Sequence, residues 1–543
     1  MKYRHKKRVA PAPGASSVSA ASASAASLVM ALCFLLCCIF PAPGAVVYAR
    51  DGVGGFDGSG VSSGEAPGRT VHDFQEYVFV TGSPVLLKGT LVISKSESNG
   101  RTTSAYSYKL SSDARAIQLT RDIKYETTSE AKGNGQTVTQ TVLTREPSEK
   151  IVTANQTYTL RRMDFARTSL IDERPAVHYY SGNTWYRKHY EVGGGAVTSS
   201  SGDYLTVEAT GQFYGFDQAW GSADIEDMDY VIDYTQSVMT TGDSGVRELW
   251  SGSANVRRSQ SIITDLRYVE NEPQAISFRG GFLETRRNDN VLEFSARLPE
   301  FDAAGVATDR LQRYTDSTQI SMFPSVKRLV SPDLRQINGH WAEEAISKLF
   351  GLEILSSRPS EYVPDQYITR AGFAAALVAA AKPVPEDPSI RQRRTTGGTR
   401  QGRAQAPAPS FTDVPADHVY YAQIEEAFAR GLMGPIDKLE FRPNQRVRVA
   451  DAAVTLIRAL GLEAVASAHG AITEYADDVG IPAYARDALY VAQKIGLLRG
   501  DERGNINPLR ELTEAEAAVI LDRLVSYMMA DLKADYRERI MDY

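Results

Sequence analysis

The 543-residue sequence predicts a multidomain protein in which an antiparallel all-β region, a sandwich or an open barrel, precedes an all-α region. Between about residues 70 and 325, apolar and polar residues alternate between clusters of Gly, Asn, Asp and Ser, which is typical of strands with one buried face. After about residue 330 the sequence is rich in Ala, and apolar residues recur at steps of three and four, as in helices with one buried face. We therefore expect a β-rich region over 70–328 and helices from 329 onward.

Residues 1–49 are predicted to be a signal peptide. They hold five basic residues and no acidic residue, and an unbroken apolar run of 13 residues covers 28–40. Because a membrane-spanning helix needs about 20 apolar residues, this short run, followed by the small residues Val47 and Ala49, favours export with cleavage after Ala49. The alternative is an uncleaved membrane anchor, since residues 45–47 would lengthen the run. We expect contact with a membrane only through this segment before cleavage.

The cysteines Cys33, Cys37 and Cys38 all lie inside the apolar run, so the processed chain would contain no disulfide and no cysteine ligand for a metal. A large exported chain without cysteine favours a bacterial surface protein over a disulfide-bonded secreted one. Residues 50–69 are rich in Gly and Ser and lack a hydrophobic period, which predicts a flexible linker.

Strand patterns in the β-rich region are clearest at 76–96, 137–147, 153–165 and 291–301. Turn signals separate these segments at the spacing of hairpins, and no long helical period intervenes. The Ser-rich stretch at 199–202 is a place where the region would divide in two.

An acidic run in the same region is a candidate calcium site, because Ca²⁺ binds six to eight oxygen ligands. The run lacks the Asp-x-Asp-x-Asp-Gly order of a calcium loop, so we expect a solvated strand face or turn instead. Its members are Asp224, Glu226, Asp227, Asp229 and Asp233.

Aromatic residues cluster at 178–192. Tyr and Trp on strands usually pack against neighbours, which is the expectation here, and a groove for a glycan is the alternative.

Catalytic and metal-binding motifs are missing from the sequence. The seven histidines show no paired metal-binding spacing, and no G-x-S-x-G motif occurs, so we predict no catalytic residue, no metal and no cofactor. The two carboxylates of a glycosidase remain an alternative, because they need no local motif. A net charge of −6 disfavours nucleic acid as a partner.

Three similar units follow one another in the helical region. In each unit an apolar helix residue is followed 18 or 19 residues later by a proline, and a second helix opens five residues after that proline. The helix residues are Ile346, Ile424 and Leu489, the prolines are Pro364, Pro443 and Pro508, and the openings are Thr369, Arg448 and Thr513.

The first helix of each unit has a predicted end. Gly431 and Gly496 are expected to end theirs in the left-handed conformation, and Glu353 takes that position in the first unit.

With NGHWAEEAISKL at 338–349 and YVPDQYITRAGFAAAL at 362–377, the first unit resembles the S-layer homology domain, a bacterial cell-wall anchoring module that usually occurs in three copies. On this resemblance the copies cover 329–381, 410–465 and 472–530. A disordered Pro/Gly/Arg linker over 382–409 separates the first two, and a helical tail over 531–543 ends the chain. The linker's five arginines at 391–403 are expected to be solvated, with contact to an anionic wall polymer as the alternative.

The resemblance implies a three-pronged helical bundle that binds a pyruvylated secondary cell-wall polysaccharide linked to peptidoglycan. The residues it implicates are Arg370, Thr369, Trp341, Arg448 and Tyr484. An arginine at a helix start suits an acidic sugar, because its forked donors and the helix dipole both favour a carboxylate. An aromatic ring can lie flat on a sugar ring.

Three positions depart from the family pattern. Val449 and Glu514 stand in the second and third units where the first has Arg370, and Glu514 would repel an anionic sugar. In the first unit Gly372 takes the position, two residues after Arg370, where the family usually has Glu. Either one main site binds the polysaccharide, or the ligand is modified; a partly structural role of the three units is the remaining alternative.

The predicted function is therefore that of a non-catalytic protein exported to the bacterial cell surface, with a β-rich structural or adhesive module. The alternatives are a wall-anchored enzyme acting on polysaccharide or peptidoglycan, and a self-assembling component of a surface lattice.

Overall fold

The structure is a computed structural model. It describes residues 56–58, 60–63, 71–98, 100–194, 202–240, 243–269, 281–303, 305–321, 323–384, 409–466 and 471–536. The predicted signal peptide at 1–49 and almost all of the predicted linker at 382–409 lie outside these residues, so both stay predictions.

Within the described residues, fifteen strands form one antiparallel sheet, which confirms the all-β prediction for this region. Most strands pair with their neighbours in sequence; β7 pairs with β5 and β8, and β15 pairs with β13. The strands are β1 Gly60–Ser62, β2 Val71–Val78, β3 Val85–Ser98, β4 Arg101–Ser112, β5 Ile117–Ala131, β6 Gln136–Leu143, β7 Ser148–Val152, β8 Thr157–Glu173, β9 His178–Gly193, β10 Asp203–Gln218, β11 Gly221–Thr240, β12 Asp243–Val269, β13 Gly281–Phe301, β14 Ala307–Ser321 and β15 Ser325–Val330.

The sheet is continuous across the stretch where a division was expected. Strands β9 and β10 flank residues 199–202 and pair from Asp203 opposite Val192 to Asp217 opposite His178. The region is therefore one sheet and not two packed sheets.

One face of this sheet is buried, as the alternating sequence predicts. In β4 the side chains of Tyr106, Tyr108 and Leu110 are buried, whereas Arg101 and Lys109 on the other face are exposed. Successive strand residues point to opposite faces, so a period of two fills one face only.

The first and last strands meet across this buried face. The Tyr77 hydroxyl donates to Asp316 Oδ2 at 2.9 Å, and Asn290 Nδ2 donates to the Ser62 carbonyl at 2.7 Å. The sheet therefore curls until its inward face encloses a single interior.

The acidic run requires a correction. Asp224 and Glu226 are 5% and 0% exposed and form ion pairs inside the sheet, so they are not on a solvated face. Asp227 and Asp229 are exposed, because β11 directs alternate residues to opposite faces.

The expected linker also requires a correction. Within 50–69, Phe56 and Asp57 are buried, and Gly60–Ser62 pairs with β2 as strand β1. Among the described residues of this stretch, Gly58, Gly60 and Ser62 are therefore buried parts of a packed segment.

The aromatic segment at 178–192 supplies packing residues. Tyr179, Tyr186 and Tyr190 are buried, as the packing interpretation predicts, and the outward Trp185 donates to Glu208 Oε1 at 3.1 Å.

Helices follow the sheet, as predicted. They are α1 Glu343–Gly351, α2 Arg370–Ala380, α3 Tyr421–Ala429, α4 Val449–Leu460, α5 Arg486–Lys494, α6 Glu514–Ser526 and α7 Leu532–Asp535, with a π-helical turn at Tyr527–Asp531. Among the described residues, no helix is both long and apolar enough to cross a bilayer.

The three expected helix ends adopt the left-handed conformation. Glu353 has φ 59°, Gly431 has φ 71° and Gly496 has φ 74°. The prediction is confirmed even for Glu353, a residue type that rarely has a positive φ.

The starts of α2, α4 and α6 are joined by a closed ring of backbone hydrogen bonds. Ile368 N–H donates to Leu512 O at 3.0 Å, Leu512 N–H to Val447 O at 2.9 Å, and Val447 N–H to Ile368 O at 3.2 Å. Each of these residues lies two positions before its helix, so the ring holds three helix starts side by side.

The opposite ends of these helices contact the sheet. Trp220 Nε1 donates to the carbonyl of Ala380 at 2.8 Å, and the Tyr179 hydroxyl donates to that of Leu460 at 2.9 Å. Ala380 and Leu460 are the last residues of α2 and α4. Sheet residues such as Phe216 share one hydrophobic cluster with the helices.

Candidate functional site

Thr369 begins α2 as its capping residue. Its backbone is extended, and its Oγ1 accepts a hydrogen bond from Gly372 N–H at 3.1 Å. This satisfies one of the free N–H groups at the helix start. The capping role of Thr369 accounts for its side chain without a ligand.

Arg370 lies beside Thr369 and reaches into the second unit. Its Nε donates to Phe441 O and its Nη2 to Gly434 O, both at 2.9 Å, and its guanidinium lies 4.8 Å from the centre of the Phe441 ring. Partial burial lowers the pKa of the guanidinium from its ordinary value. A guanidinium has five N–H donors, and Nη1 has no hydrogen-bond partner within the part of the chain that the structure describes. These remaining donors can bind an anion.

Arg448 and Tyr484 meet at the start of α4. Arg448 is the exposed residue that precedes the helix, and its side chain caps no backbone N–H. Tyr484 is 58% exposed, and its hydroxyl donates to Asp451 Oδ1 at 2.8 Å. Burial and the Asp451 carboxylate raise the pKa of Tyr484 to about 12. The ring, the cation and the carboxylate together form a polar surface with one aromatic face.

Trp341 is 65% exposed, so it is not a core residue. Its ring centre lies 5.6 Å from that of His340, whose Nε2 is 3.6 Å from Asp365 Oδ1. The backbone carbonyl of the next residue, Gln366, accepts a hydrogen bond from the Glu514 N–H at 2.7 Å. Asp365 and Gln366 thus lie beside the start of α6, and Trp341 lies next to this group through its neighbour His340. Thr369 and Arg370 stand at the start of α2, Arg448 and Tyr484 at the start of α4, and Trp341 two residues before α1, so the five predicted residues do not form one group.

Glu514 occupies the start of α6 where Arg370 stands in α2. Burial raises the pKa of its carboxyl to about 7. The charge on Glu514 in turn contributes to a raised pKa of the buried Tyr362, whose hydroxyl has no hydrogen-bond partner among the described residues. This helix start therefore offers a carboxyl that holds its proton to a higher pH than an exposed Glu does.

Sequence reasoning missed Asp451 as a partner of Tyr484. Asp451 stands two residues after Val449, where the family pattern has a Glu, and that position was the available signal. The hydrogen bond between Gln366 in the first unit and Glu514 in the third had no signal in the sequence, because it depends on how the units pack against one another.

The interior of the sheet contains carboxylates, which bear on the enzyme alternative. Glu76 Oε1 and Glu149 Oε1 both accept from Arg121 Nη2 at 2.8 Å. The adjoining cavity holds about 40 Å³, which suffices for water but not for a sugar ring. Among the described residues, no group of His, Cys, Asp and Glu is placed to hold a metal ion.

Residues 335–374, which include Trp341, Thr369 and Arg370, match the S-layer homology domain. The surface-layer 125 kDa protein of Lysinibacillus sphaericus is 30% identical over 129 residues, which are 23% of this chain and 11% of that protein. An amylopullulanase of Thermoanaerobacterium thermosulfurigenes is 25% identical over 187 residues, 34% of this chain and 9% of the relative. The exoglucanase XynX of Acetivibrio thermocellus is 24% identical over 193 residues, 35% of this chain and 16% of the relative. The chain thus spans less than a fifth of each of these relatives.

Proposed function

We propose that the helical region anchors this protein to a polysaccharide of the bacterial cell wall and that the β region is displayed at the cell surface. The observation that carries the proposal is the S-layer homology match at 335–374, which contains three of the five candidate residues. Similarity to a surface-layer protein supports the same location. Export through the signal peptide at 1–49 is part of the proposal.

Three S-layer homology units form a three-pronged bundle in this proposal. Its support is the matching spacing within the units, the shared left-handed residues at their helix ends, and the ring of hydrogen bonds through Ile368, Leu512 and Val447. Because α2, α4 and α6 start at equivalent places in this ring, the three units are related in the same way to one another. A groove between any two units would then have a counterpart between each of the other two pairs.

The proposed ligand is a pyruvylated polysaccharide linked to peptidoglycan, and the main site is the start of α2. Arg370 supplies the donors that its bonds to Phe441 and Gly434 leave over, and these suit a sugar carboxylate. At the start of α4, Arg448 and Tyr484 offer a weaker version of the same chemistry. Glu514 at the start of α6 and Trp341 near it suit a neutral part of the polymer.

We propose no catalytic role for the β region, because its carboxylates Glu76 and Glu149 are engaged by Arg121 beside a very small cavity. A wall-anchored enzyme acting on polysaccharide is the second candidate, and the names of two relatives, an amylopullulanase and an exoglucanase, favour it. Self-assembly into a lattice is a third, favoured by the name of the surface-layer relative.

The test is cosedimentation of the processed chain with purified cell-wall sacculi, before and after acid removal of the wall polysaccharide. We expect wild type to bind intact sacculi only, and Arg370→Gln to weaken binding at least about tenfold, equivalent to about 1.4 kcal/mol. The matched control is Arg358→Gln, a solvent-exposed arginine paired with Glu361 in the same unit.

Each variant's melting temperature is measured as well, because Arg370 also bonds two backbone carbonyls. Loss of binding at an unchanged melting temperature supports the site. Equal binding by wild type and Arg370→Gln, or equal binding to stripped sacculi, contradicts it.

A further inference from the structure

The N-terminal segment from Phe56 to Ser62 lies inside the sheet. Phe56 is 3% exposed and Asp57 is 1% exposed. The Phe56 ring lies edge-on to the rings of Tyr125 and Tyr106, with centres 4.9 Å and 5.8 Å away. Such aromatic contacts stabilise beyond the area they bury, so Phe56 is an anchor in the interior.

Asp57 lies next to two buried cations. Its Oδ2 is 3.7 Å from Arg121 Nη1 and 3.6 Å from Lys188 Nζ, and the two basic side chains are 2% and 4% exposed. Both cations also contact Glu149, at 2.8 Å and 3.0 Å. The carboxylate of the segment thus belongs to a buried group of charges formed by the sheet residues Arg121, Lys188 and Glu149.

Side chains of the sheet donate hydrogen bonds to backbone carbonyls of the segment. The Phe56 carbonyl accepts from Arg167 Nη1 at 3.2 Å, and the Asp57 carbonyl accepts from the Tyr230 hydroxyl at 3.4 Å. Only Gly60–Ser62 pairs as a strand, with three residues of β2. This combination of side-chain contacts and one short edge pairing is how a sheet holds an added peptide.

Gly58 and Gly60 of the segment lie so close to neighbouring residues that a side chain would clash at either position. A Cβ on Gly60 would lie 2.4 Å from Gln75 O, and one on Gly58, where φ is +62°, would lie 2.7 Å from Met228 Cγ. Bulkier residues would clash at both places, so the interior selects a sequence with Phe, Asp and spaced glycines.

We propose that the interior of the β region is a peptide-binding site and that its ligand is this chain's own segment Phe56–Ser62, held reversibly. In this proposal the segment enters the interior of the sheet after the other strands have paired, and it fills the space that they leave. The proposal is independent of wall anchoring, because it involves none of the residues at the helix starts.

Thiol labelling tests the reversibility on the whole processed chain, which has no cysteine of its own once residues 1–49 are removed. The variants are Phe56→Cys and, as a matched control, Leu91→Cys at a residue of β3 that is 0% exposed. A ligand that leaves by local opening exposes its thiol without unfolding of the sheet. We expect Phe56→Cys to react at least tenfold faster than Leu91→Cys in the absence of denaturant. Equal rates would mean that the segment opens only with the whole sheet, which overturns the proposal.

Peptide exchange tests the site itself. A specific protease site placed within 64–70 allows the segment to be cut from the folded chain, and a fluorescent peptide of residues 50–63 is then added. We expect the peptide to bind, measured by anisotropy, and Phe56→Ala, Asp57→Lys or Gly60→Val peptides to bind at least tenfold more weakly. No binding of the wild-type peptide, or equal binding of all four, overturns the proposal.

Discussion

The interiors of the sheet and of the helical region are filled in different ways. Inside the sheet, Arg121, Arg167 and Arg258 are each at most 3% exposed and are paired with carboxylates. Inside the helical region the fully buried residues are apolar, such as Phe373 and Leu456. The same chain therefore stabilises one interior by matched charges and the other by close apolar packing.

The space to be filled explains the difference. Helices rich in Ala approach one another closely, so short side chains are enough to fill the gap between them. A curled sheet encloses a wider interior, which calls for long side chains, and long basic residues bring charges that must be paired. Phe56 and Asp57 of the N-terminal segment fill part of the same space.

The largest expected effect comes from breaking the charge pairing. Arg121→Met would leave Glu76 and Glu149 buried without their shared cation and should lower the free energy of unfolding by about 3–5 kcal/mol. The matched control is Arg187→Met, which breaks a partly exposed pair with Glu208 and should cost under about 1 kcal/mol. Urea denaturation measures both. Similar values for the two variants would show that the charged interior does not depend on pairing.

The next effect concerns the contact between the two regions. Trp220→Ala removes a buried ring and its hydrogen bond to Ala380, and should destabilise by about 3–5 kcal/mol. Because the ring joins the sheet to α2, we expect calorimetry to resolve two transitions where wild type shows one. The control Trp250→Ala removes a ring that stacks on Tyr234 within the sheet, and should leave one transition. Two transitions in wild type would show that the regions unfold independently.

A smaller effect is pH dependence at the start of α6. Burial raises the pKa of Glu514 to about 7 in the folded protein, against 4.5 when it is not buried. The stability from its protonated form is therefore fully present below pH 4.5 and is lost as pH rises through about 7. Glu514→Gln should be more stable than wild type at pH 8, by about 1–3 kcal/mol, and not at pH 4.

Glu516→Gln provides the opposite case. Burial raises the pKa of Glu516, but hydrogen bonds from Arg510 and from Thr513 N–H outweigh it, so the folded pKa is lowered. Its contribution is present at neutral pH and is lost as pH falls through the folded pKa. Unfolding curves at pH 4 and pH 8 compare the variants, and the same pH trend in both would contradict this assignment.

The smallest expected effect separates two helix starts. Thr513 and Glu516 form a reciprocal capping box at the start of α6, whereas Thr369 caps α2 without a second side chain. Thr513→Ala should cost about 1–2 kcal/mol and Thr369→Ala about 0.5–1 kcal/mol, as measured by thermal unfolding. A larger loss for Thr369→Ala would show that the box adds nothing.

Much of the fold could be predicted from period and spacing. The alternation in β4 identifies its buried face, and the spacing from Ile424 to Pro443 identifies a helix pair. Asp224 and Glu226 were misjudged because acidic residues are usually solvated. Asp224, Glu226, Met228 and Tyr230 are alternate residues of one strand, so they point to the same face, and Met228 and Tyr230 are buried there. This alternation was visible in the sequence.

Features that depend on distant parts of the chain could not be predicted. The burial of Phe56 depends on Tyr106 and Tyr125, which lie in β4 and β5. Likewise, Thr369 and Arg370 were found from their position at a helix start, but the hydrogen bond from Glu514 to Gln366 could not be found without the packing of the first unit on the third.

The contacts of Trp220 and Tyr179 with the far ends of α2 and α4 have a mechanical consequence. The starts of these helices carry the proposed polysaccharide site, so under the proposed function each helix would connect the wall polymer to the sheet end to end. With 11 and 12 residues at a rise of about 1.5 Å each, they set a stand-off of about 16–18 Å. Shear at the cell surface would then reach the sheet through several helices at once, and the displayed region would keep a fixed orientation to the polymer instead of swinging on a tether.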